Sequence, residues 1–321
     1  MRRPPLLSVA APPHTHDGSR VSEVYAWQSL LLLPAAAGGV WVWGLGGLRT
    51  LLLSVGAAVL CEWLAARARK RDFLADFSIV VQGLMLGMLF HAGTPWWLVL
   101  VGAALTVFLG KHFFGGLGSY PFPPALLGYA VLLLSWPGQL DPARRLANVD
   151  VPFAPIPPLE AWRAFGAQAA DGYPLGGLLL GQQMGGVGSS MVLLLALGGL
   201  ALMAGRYIPW RTPLAFLGGM ALTAGIFHLA APASYPGPLF HLLSGIAVFA
   251  AFFLAADFTC SPVNPWAQVV FGLGAGGLAV VIRTFGEWPD GTVFAVLLVG
   301  LAQPLIDKIH PRPLALEVPT R

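Results

Sequence analysis

The sequence is short of charged residues and of cysteine, and each shortage excludes a class of protein. Only 10% of its 321 residues are charged, whereas a soluble domain usually has about 25%. With 56% hydrophobic residues, the chain has too little polar surface to be a water-soluble protein. Its two cysteines, Cys61 and Cys260, cannot by themselves supply the ligand set of a zinc or iron–sulfur site. A glycine-rich dinucleotide-binding fingerprint that follows a predicted strand and opens a helix is also absent from the sequence.

Long apolar runs, separated by short polar turns, make up most of the chain. The 40 glycines and 28 prolines punctuate these runs, and both residues are more frequent in membrane helices than in soluble ones. Each run is near the roughly 17–25 residues that a bilayer requires, or somewhat shorter. We therefore predict an all-α membrane protein with about ten transmembrane helices, some of them broken. The runs cover residues 27–44, 48–66, 77–91, 96–109, 124–136, 186–204, 212–231, 238–256, 267–282 and 292–306.

The order of the runs divides the chain into five regions. We predict a cytoplasmic tail over 1–26, a first five-span repeat over 27–136, a long extracytoplasmic loop over 137–185, a second five-span repeat over 186–307, and a cytoplasmic tail over 308–321. Basic residues follow the second, fourth, sixth and last runs, and such clusters stay in the cytoplasm. Both termini are therefore expected to be cytoplasmic, in the inner membrane of a bacterium.

Two stretches place polar residues between apolar runs, next to prolines and glycines where helices break. The first, residues 110–128, contains Lys111, and the second, residues 240–307, contains Asp257 and Arg283. A polar, helix-breaking turn at membrane depth is costly unless it lines a site. The pattern therefore indicates a functional site. Glu62, in contrast, lies at the membrane edge close to the basic residues that begin at Arg67, which is typical of a surface ion pair.

The segments GKHFFGG and VIRTFGE occupy similar places in the two halves. Each has a cation, then phenylalanine and glycine, after an apolar run. With five spans in each half, the second half would be inverted relative to the first. Inverted repeats with broken helices place a site at the interface between the repeats. The alternative interpretation is that two ordinary loop ends share a few residues.

Several motifs occur in a fixed order along the chain. Residues 111–125 largely follow the pattern K-x-x-x-G-G-x-G-x-N-x-F-N-P-A, and residues 251–262 largely follow A-F-F-x-A-T-D-x-x-T-S-P. The segments I-R-x-F-G and P-L-I-D come later, at residues 282–286 and 304–307. Together these motifs resemble the RnfD membrane subunit of the Rnf ion-translocating oxidoreductases. They also resemble its homologue, the NqrB subunit of the sodium-translocating NADH:quinone reductase.

The resemblance implies a membrane subunit of an Rnf-like complex that passes electrons through a flavin, coupled to ion movement. The implied partners are other Rnf- or Nqr-type membrane subunits, a periplasmic flavoprotein and the lipid bilayer, but no nucleic acid. Because the chain lacks a dinucleotide fingerprint and a cysteine cluster, it is not expected to be catalytic alone. Two alternatives stay open. One is a channel or transporter for a small polar solute built on the same repeat, and the other is a flavin-less structural subunit of a redox complex.

The departures from the family concentrate at polar positions. Gln82 stands where the family has threonine, Pro123 where it has asparagine, Ser189 where it has glutamate, and Ala256 where it has threonine. The apolar positions match. The resemblance therefore implies the fold of the family more strongly than it implies the family's site.

The long loop departs from the family where flavin mononucleotide (FMN) is attached. The resemblance implies a threonine acceptor in a segment like D-G-Y-S-G-A-T-P-L, but residues 171–176 read D-G-Y-P-L-G. Residues 138–187 contain no serine or threonine, and a phosphoester needs a hydroxyl. We therefore predict that any flavin, FMN or riboflavin, is bound non-covalently, unless the fold has been kept without a flavin. The proline-rich part of the loop, residues 151–162, is expected to be extended and at the surface.

A retained flavin is expected where the two repeats meet. Glycines allow a ring or a phosphate to approach the backbone, and a lysine or arginine can balance a phosphate or a reduced flavin. Lys111 and Arg283 fit interfacial anchoring equally well, and Asp257 fits either an ion path or the cap of a half-helix. No catalytic residue and no metal ligand is predicted. The candidate cofactor-binding residues are Lys111, Gly115, Gly116, Ser189, Asp257 and Arg283.

Overall fold

The computed structural model describes residues 20–69, 77–146 and 152–308. These residues form helices and connecting turns, and no strand occurs among them, which confirms the prediction of an all-α protein. Most of the predicted tails over 1–26 and 308–321 lies outside the described part of the chain. The same applies to part of the basic cluster that follows the second predicted span.

Helix α1, Val21–Arg69, is 49 residues long and contains two of the predicted spans. At 1.5 Å per residue it would measure about 74 Å, more than twice the thickness of a hydrocarbon core. Gly44 interrupts it with φ 60° and ψ −144°, a conformation that glycine adopts without a steric cost. This break falls between the two predicted spans, so α1 consists of two helices joined at Gly44.

Three more helices complete the first half of the chain. Gly83 of α2 packs against Ser54, and Gly87 of the same helix packs against Leu51. Since residue numbers rise along α2 as they fall along α1, these two helices are antiparallel. The third and fourth helices then pack against each other and against α2. The bounds are α2, Ser78–Leu89; α3, Trp96–Ala104, which continues as a π-helix over Leu105–His112; and α4, Pro124–Ser135.

The long loop contains short helices and partly buried side chains, contrary to the prediction of an extended surface segment. The helices are α5, Pro142–Arg145; α6, Pro158–Phe165; and α7, Leu175–Leu179. Pro158 begins α6 because the first position of a helix needs no backbone donor. Trp162 of α6 is buried, and its indole N–H donates to the Ser234 carbonyl (3.1 Å). The loop is therefore attached to the second half of the chain.

Six helices follow the long loop. Two of the predicted spans in this part of the chain are not continuous helices over their predicted lengths. The predicted span over 186–204 begins as a helix only at Val192, and the predicted span over 238–256 is broken at Gly245, where φ is 66°. The helices are α8, Val192–Ala204; α9, Arg211–Ala230; α10, Pro238–Leu243; α11, Ala247–Phe249, which continues as a π-helix over Ala250–Leu254; α12, Pro265–Phe285; and α13, Thr292–Ile306.

The segment before α8 is irregular, and its backbone donors bond to another part of the chain. The Val187 N–H donates to the Phe90 carbonyl (2.7 Å), and the Ser189 N–H donates to the Met88 carbonyl (3.1 Å). These acceptors lie at the end of α2, so the segment joins the two halves of the molecule.

Helices α9 and α12 pack side by side in the same direction. Gly272 contacts Thr212, and Gly276 contacts Phe216 and Met220, so residue numbers rise together along both helices. By length and composition, α1, α9 and α12 are long and apolar enough to cross a membrane. Shorter apolar helices accompany them, among them α2, α4, α8 and α13.

Candidate functional site

Lys111 lies in the last turn of the π-helix that follows α3, where it is 4% exposed. Its Nζ donates to Glu62 Oε1 (2.9 Å) and to Ser78 Oγ (2.9 Å). His112 Nε2 lies 2.8 Å from the second carboxylate oxygen of Glu62. Glu62 is therefore buried between two basic side chains, and the expectation of a surface ion pair is wrong.

Gly115 and Gly116 form the turn that ends this π-helix. Their φ angles are 113° and 108°, values that side chains other than glycine rarely adopt. The Gly116 N–H donates to the Lys111 carbonyl (3.1 Å). Both glycines thus lie beside Lys111, where they close the helix end.

Asp257 follows the π-helix of the broken eighth span and is 1% exposed. Its Oδ1 accepts hydrogen bonds from the Thr259 N–H (3.1 Å) and hydroxyl (2.8 Å). Its Oδ2 accepts from Gln82 Nε2 (3.2 Å). Within the described ranges, no lysine, arginine or histidine contacts this carboxylate. Asp257 is thus a buried carboxylate surrounded by uncharged donors.

Gln82 connects Asp257 to a third element. While its Nε2 donates to Asp257, its Oε1 accepts from the Ala125 N–H at the start of α4 (3.0 Å). Residue 82 differs from the family pattern, but sequence reasoning did not identify it as a site residue. Its position relative to Asp257 depends on contacts across 175 residues, for which the sequence contains no signal.

Arg283, in the last turn of α12, is fully buried. Its guanidinium donates to the His241 carbonyl (2.6 Å) and the Ser244 carbonyl (3.2 Å), and to the Thr292 hydroxyl (3.1 Å). It also pairs with Asp290 at 3.0 Å. A snorkelling anchor keeps its charge in water. The burial and the partners of Arg283 therefore favour a role inside the fold.

Asp290, the partner of Arg283, connects it to the break in the eighth span. The Ile246 N–H donates to Asp290 Oδ2 (2.8 Å), and Ile246 directly follows the positive-φ Gly245. Burial alone would raise the pKa of Asp290, but the Arg283 guanidinium and hydrogen bonds from Thr292 and Ile246 lower it below its usual value.

A cavity of about 530 Å³ opens beside Asp290. The long loop, the irregular segment before α8 and the turn between α12 and α13 enclose it. Ser189 lines it and is 1% exposed, and its hydroxyl has no hydrogen-bond partner in the described part of the chain. The polar and aromatic side chains of the lining include Tyr129, Asp141, Arg144, Glu160, Ser189, Glu287, Trp288 and Asp290. An unpaired hydroxyl in such a wall indicates that the cavity can hold a polar ligand.

The charged side chains in the lining of the cavity are mainly acidic. It contains four carboxylates, those of Asp141, Glu160, Glu287 and Asp290, and the guanidinium of Arg144. Burial, with a further contribution from nearby Asp141, raises the pKa of Glu160 to about 7. Asp290 is already paired with Arg283. The cavity therefore disfavours a ligand with a high negative charge.

The structure separates the six predicted cofactor-binding residues. Lys111 meets Ser78 at the first residue of α2, whereas the cavity is lined by Leu89 at the last residue of α2. A helix of 12 residues is about 18 Å long. We call the end with Lys111 the basic end and the end with the cavity the cavity end.

The predicted residues divide between these two ends. Lys111, with the two glycines, lies at the basic end, and Asp257 lies nearby because Gln82 is in the second turn of α2. Ser189 lines the cavity, and Arg283 reaches the same cavity only through Asp290. The six residues do not form one pocket.

A family model and individual relatives of the chain point to the same protein family. The model described as the NQR2, RnfD, RnfE family matches residues 8–315. The chain is 32% identical, over 345 aligned residues, to the RnfD subunit of the ion-translocating oxidoreductase complex of Actinobacillus succinogenes, covering 96% of this chain and 97% of the relative. It is 34% identical over 341 residues to the subunit of the same name from Cronobacter sakazakii, covering 94% and 97%.

A relative from a different bacterium carries a more specific name. The RnfD subunit of the proton-translocating ferredoxin:NAD(+) oxidoreductase complex of Clostridium ljungdahlii is 31% identical over 314 residues, covering 94% of each chain. The similarity therefore extends over almost the whole of each protein and includes both the basic end and the cavity end.

Proposed function

The chain belongs to the NQR2, RnfD, RnfE family, and we propose that it passes electrons through a flavin in a process coupled to ion movement across the membrane. It is a membrane subunit of an Rnf-like complex, since RnfD subunits of ion-translocating complexes align with it over nearly their full length. This match carries the proposal. Other subunits of the complex must deliver and remove the electrons.

The proposed architecture has ten spans in two inverted five-span repeats. In each half, a buried cation in the last turn of the fourth span contacts the third span. Lys111 contacts Ser78 of α2, and Arg283 contacts the His241 carbonyl of α10. These two contacts lie at opposite ends of the bundle, as an inversion of one half would require.

The cavity is the proposed place for the flavin. It has room for a ring system, and Tyr129 and Trp288 provide aromatic surface in its wall. The backbone of Gly185 and Gly186 also reaches it, so a planar ring can approach the main chain closely. The basic end offers cations but holds them in a network with Glu62.

The charge of the cavity favours an uncharged flavin. In the lining, a flavin phosphate would meet the carboxylates of Asp141 and Glu287, that of Glu160 when it is ionised, and the guanidinium of Arg144, since Asp290 is already paired with Arg283. Like charges at close range repel. Riboflavin, which carries no phosphate, avoids this repulsion. Non-covalent binding of riboflavin also agrees with the lack of serine and threonine over residues 138–187.

The proposed setting is the inner membrane of a bacterium, with the basic end toward the cytoplasm. Basic residues near span ends stay in the cytoplasm, and Arg69, Lys111 and Arg206 lie at such ends. The cavity end would then face the opposite compartment, where a periplasmic flavoprotein subunit is the proposed electron partner.

Flavin analysis of the purified complex tests this proposal. Trp288→Ala removes an aromatic wall of the cavity, and we expect roughly two- to tenfold weaker flavin retention from the lost ring contact. Trp266→Ala, at a side chain that is 69% exposed, is the matched control and should retain the parent's flavin content. Flavins released by acid are separated and quantified, and the cavity flavin should be riboflavin.

The denatured subunit should show no flavin fluorescence on a gel, because residues 138–187 contain no serine or threonine to act as the acceptor. A fluorescent band would contradict non-covalent binding and would identify another acceptor, with Ser189 the first hydroxyl after the loop. Equal flavin content in the parent and both variants would favour a flavin-less structural role for this chain.

A further inference from the structure

The carboxylate of Asp257 is buried, and no described residue places a positive charge beside it. Its two oxygens offer about four lone-pair positions, and three of these are used by Thr259 and Gln82. The unused position belongs to Oδ2, which accepts only from Gln82. A carboxylate in this setting inside a membrane protein is rare and usually takes part in ion or proton movement.

The orientation of the Gln82 amide is fixed from its other side. The Ala125 N–H at the start of α4 donates to Gln82 Oε1 (3.0 Å), and Pro123 and Pro124 beside it have no N–H to offer. Turning the amide over would face its NH₂ toward the Ala125 N–H and its oxygen toward the carboxylate. The Gln82 side chain therefore presents hydrogen atoms to Asp257 and no lone pair.

This arrangement selects between two kinds of cation. A metal ion such as Na⁺ needs several oxygen atoms with free lone pairs around it, as hard cations do in general. Beside Oδ2 it would meet the N–H group of Gln82, which repels a positive charge. A proton needs one lone pair only, and Oδ2 has one. Thr259 already uses its hydroxyl hydrogen on Oδ1.

We infer that Asp257 exchanges a proton and not a metal cation, and that Gln82 determines this selectivity. In this step a hydronium ion transfers a proton to Oδ2: one O–H bond of the hydronium breaks and leaves water, an O–H bond forms at Oδ2, and the carboxylate changes from −1 to 0. No other bond is made or broken at the carboxylate. This inference deepens the proposed function by naming the ion that can bind at Asp257. It rests on the proposed function only in taking the proton to be the ion whose movement is coupled to electron transfer.

Titratable side chains from three neighbouring segments face Asp257. They are Tyr25 of α1, Tyr120 of the turn before α4, and Cys260 of the turn after Asp257. The Tyr25 and Tyr120 hydroxyls lie 3.3 Å apart, and the Cys260 thiol donates to the Tyr120 carbonyl. None of the three can carry a positive charge. Their O–H and S–H groups can donate hydrogen bonds, and the two tyrosine oxygens also carry lone pairs.

Infrared difference spectroscopy of the assembled complex tests the inference. A pH titration between about 5 and 9 should show the C=O band of a protonated carboxylic acid. The same band should be missing in Asp257→Asn, which keeps the shape of the side chain. Replacing choline by Na⁺ at constant ionic strength should leave the pH midpoint of this titration unchanged in the parent.

The variant Gln82→Thr provides the second part of the experiment, which tests the role of the Gln82 amide. A hydroxyl in place of the amide supplies lone pairs, so Na⁺ should now compete with the proton. We expect the midpoint to move by roughly one pH unit, a tenfold competition. The double variant Gln82→Thr, Asp257→Asn should lose both the band and the Na⁺ effect.

Three results would overturn the inference. They are a Na⁺-dependent midpoint in the parent, a band that does not titrate in this range, and a Gln82→Thr variant that folds but stays insensitive to Na⁺. If Gln82→Thr does not fold, the parent and Asp257→Asn still decide the question. These outcomes are separate from flavin content, so failure here leaves the redox role intact, and loss of the redox role leaves the proton site intact.

Discussion

Lys111 and Arg283 illustrate how the surroundings of a residue change its interpretation. From the sequence, both are candidates for contact with a flavin or for anchoring at the membrane surface. The structure gives Lys111 the partners Glu62 and Ser78, and gives Arg283 the partners Asp290 and Thr292 as well as two carbonyls. Both cations are buried. Removal of Arg283 would leave the Asp290 carboxylate without its cation, and removal of Lys111 would leave Glu62 with His112 alone, so both changes should be destabilising. Their first role is therefore to hold two helix ends.

Glu160 carries the first prediction at the scale of a residue. Burial and nearby Asp141 raise its pKa to about 7 from the ordinary 4.5. Below about pH 4.5 the Glu160 carboxyl is protonated, and therefore neutral, in both the folded and the unfolded protein. As pH rises through the window between the two values, the unfolded chain loses this proton first, so stability falls. Above about pH 7 the folded protein has also lost this proton, and the stability contributed by neutral Glu160 is gone.

Glu160→Gln should therefore remove this pH dependence. We expect the thermal midpoint of the parent to fall between about pH 4.5 and 7.5, while that of the variant falls clearly less. The measurement is thermal unfolding in detergent at several pH values. Glu287→Gln, at an exposed position of the same cavity wall, is the control and should follow the parent. Parallel curves for the parent and Glu160→Gln would contradict the raised pKa.

At the scale of an element, glycines determine how closely the helices approach. Helices α9 and α12 lie in parallel contact because Gly272 and Gly276 leave room for the backbone of α9. Small residues that let two backbones approach are typical of helix pairs in membranes. Gly274, between them on the same helix, is exposed. Its neighbourhood is open, since a Cβ there would lie 3.9 Å from Val299.

This difference gives a matched pair of substitutions in α12. A methyl group at Gly276 would overlap the Phe216 carbonyl oxygen, so Gly276→Ala should lower stability by about 1–3 kcal/mol through overpacking. Gly274→Ala should be neutral or stabilising by up to about 1 kcal/mol, because alanine is the better helix former. Thermal unfolding of both variants in detergent measures the difference. Equal stability of the two would mean that α9 and α12 do not pack as described.

At the scale of the whole molecule, the two ends differ in charge. The basic end carries Lys111 and His112 with Arg69, while the cavity end carries the carboxylates of the cavity together with arginines of the long loop, such as Arg144 and Arg163. Lysines and arginines in short segments are retained in the cytoplasm, whereas a long loop such as residues 137–185 is translocated largely regardless of its charge. The proposed orientation therefore follows from the cations of the basic end.

Labelling of single cysteines tests this orientation. Ala164→Cys lies on the exposed side of α6, and Arg206→Cys lies in the exposed turn after α8. In a background with Cys61→Ser, a membrane-impermeant maleimide added to whole cells should label position 164 but not position 206. Inverted membrane vesicles should give the opposite result. Labelling of both positions from one side would contradict the proposed ten-span arrangement.

The sequence by itself determined the class of the protein and the places of most helices. Apolar length and helix-breaking residues are local properties, and α13, Thr292–Ile306, covers the same residues as the last predicted run. The family motifs are local as well, and the family model matches residues 8–315. These features could be predicted because each is contained in one short stretch.

Only the tertiary structure decided which distant residues share a site. The irregular segment before α8 depends on the carbonyls of Met88 and Phe90, and Gln82 meets Asp257 from 175 positions away. The separation of Lys111 from Arg283 by the length of α2 is likewise invisible in their similar motifs. The physical reason is that a backbone donor or a buried carboxylate takes the partner that packing places beside it, and that partner is not encoded next to it in the chain.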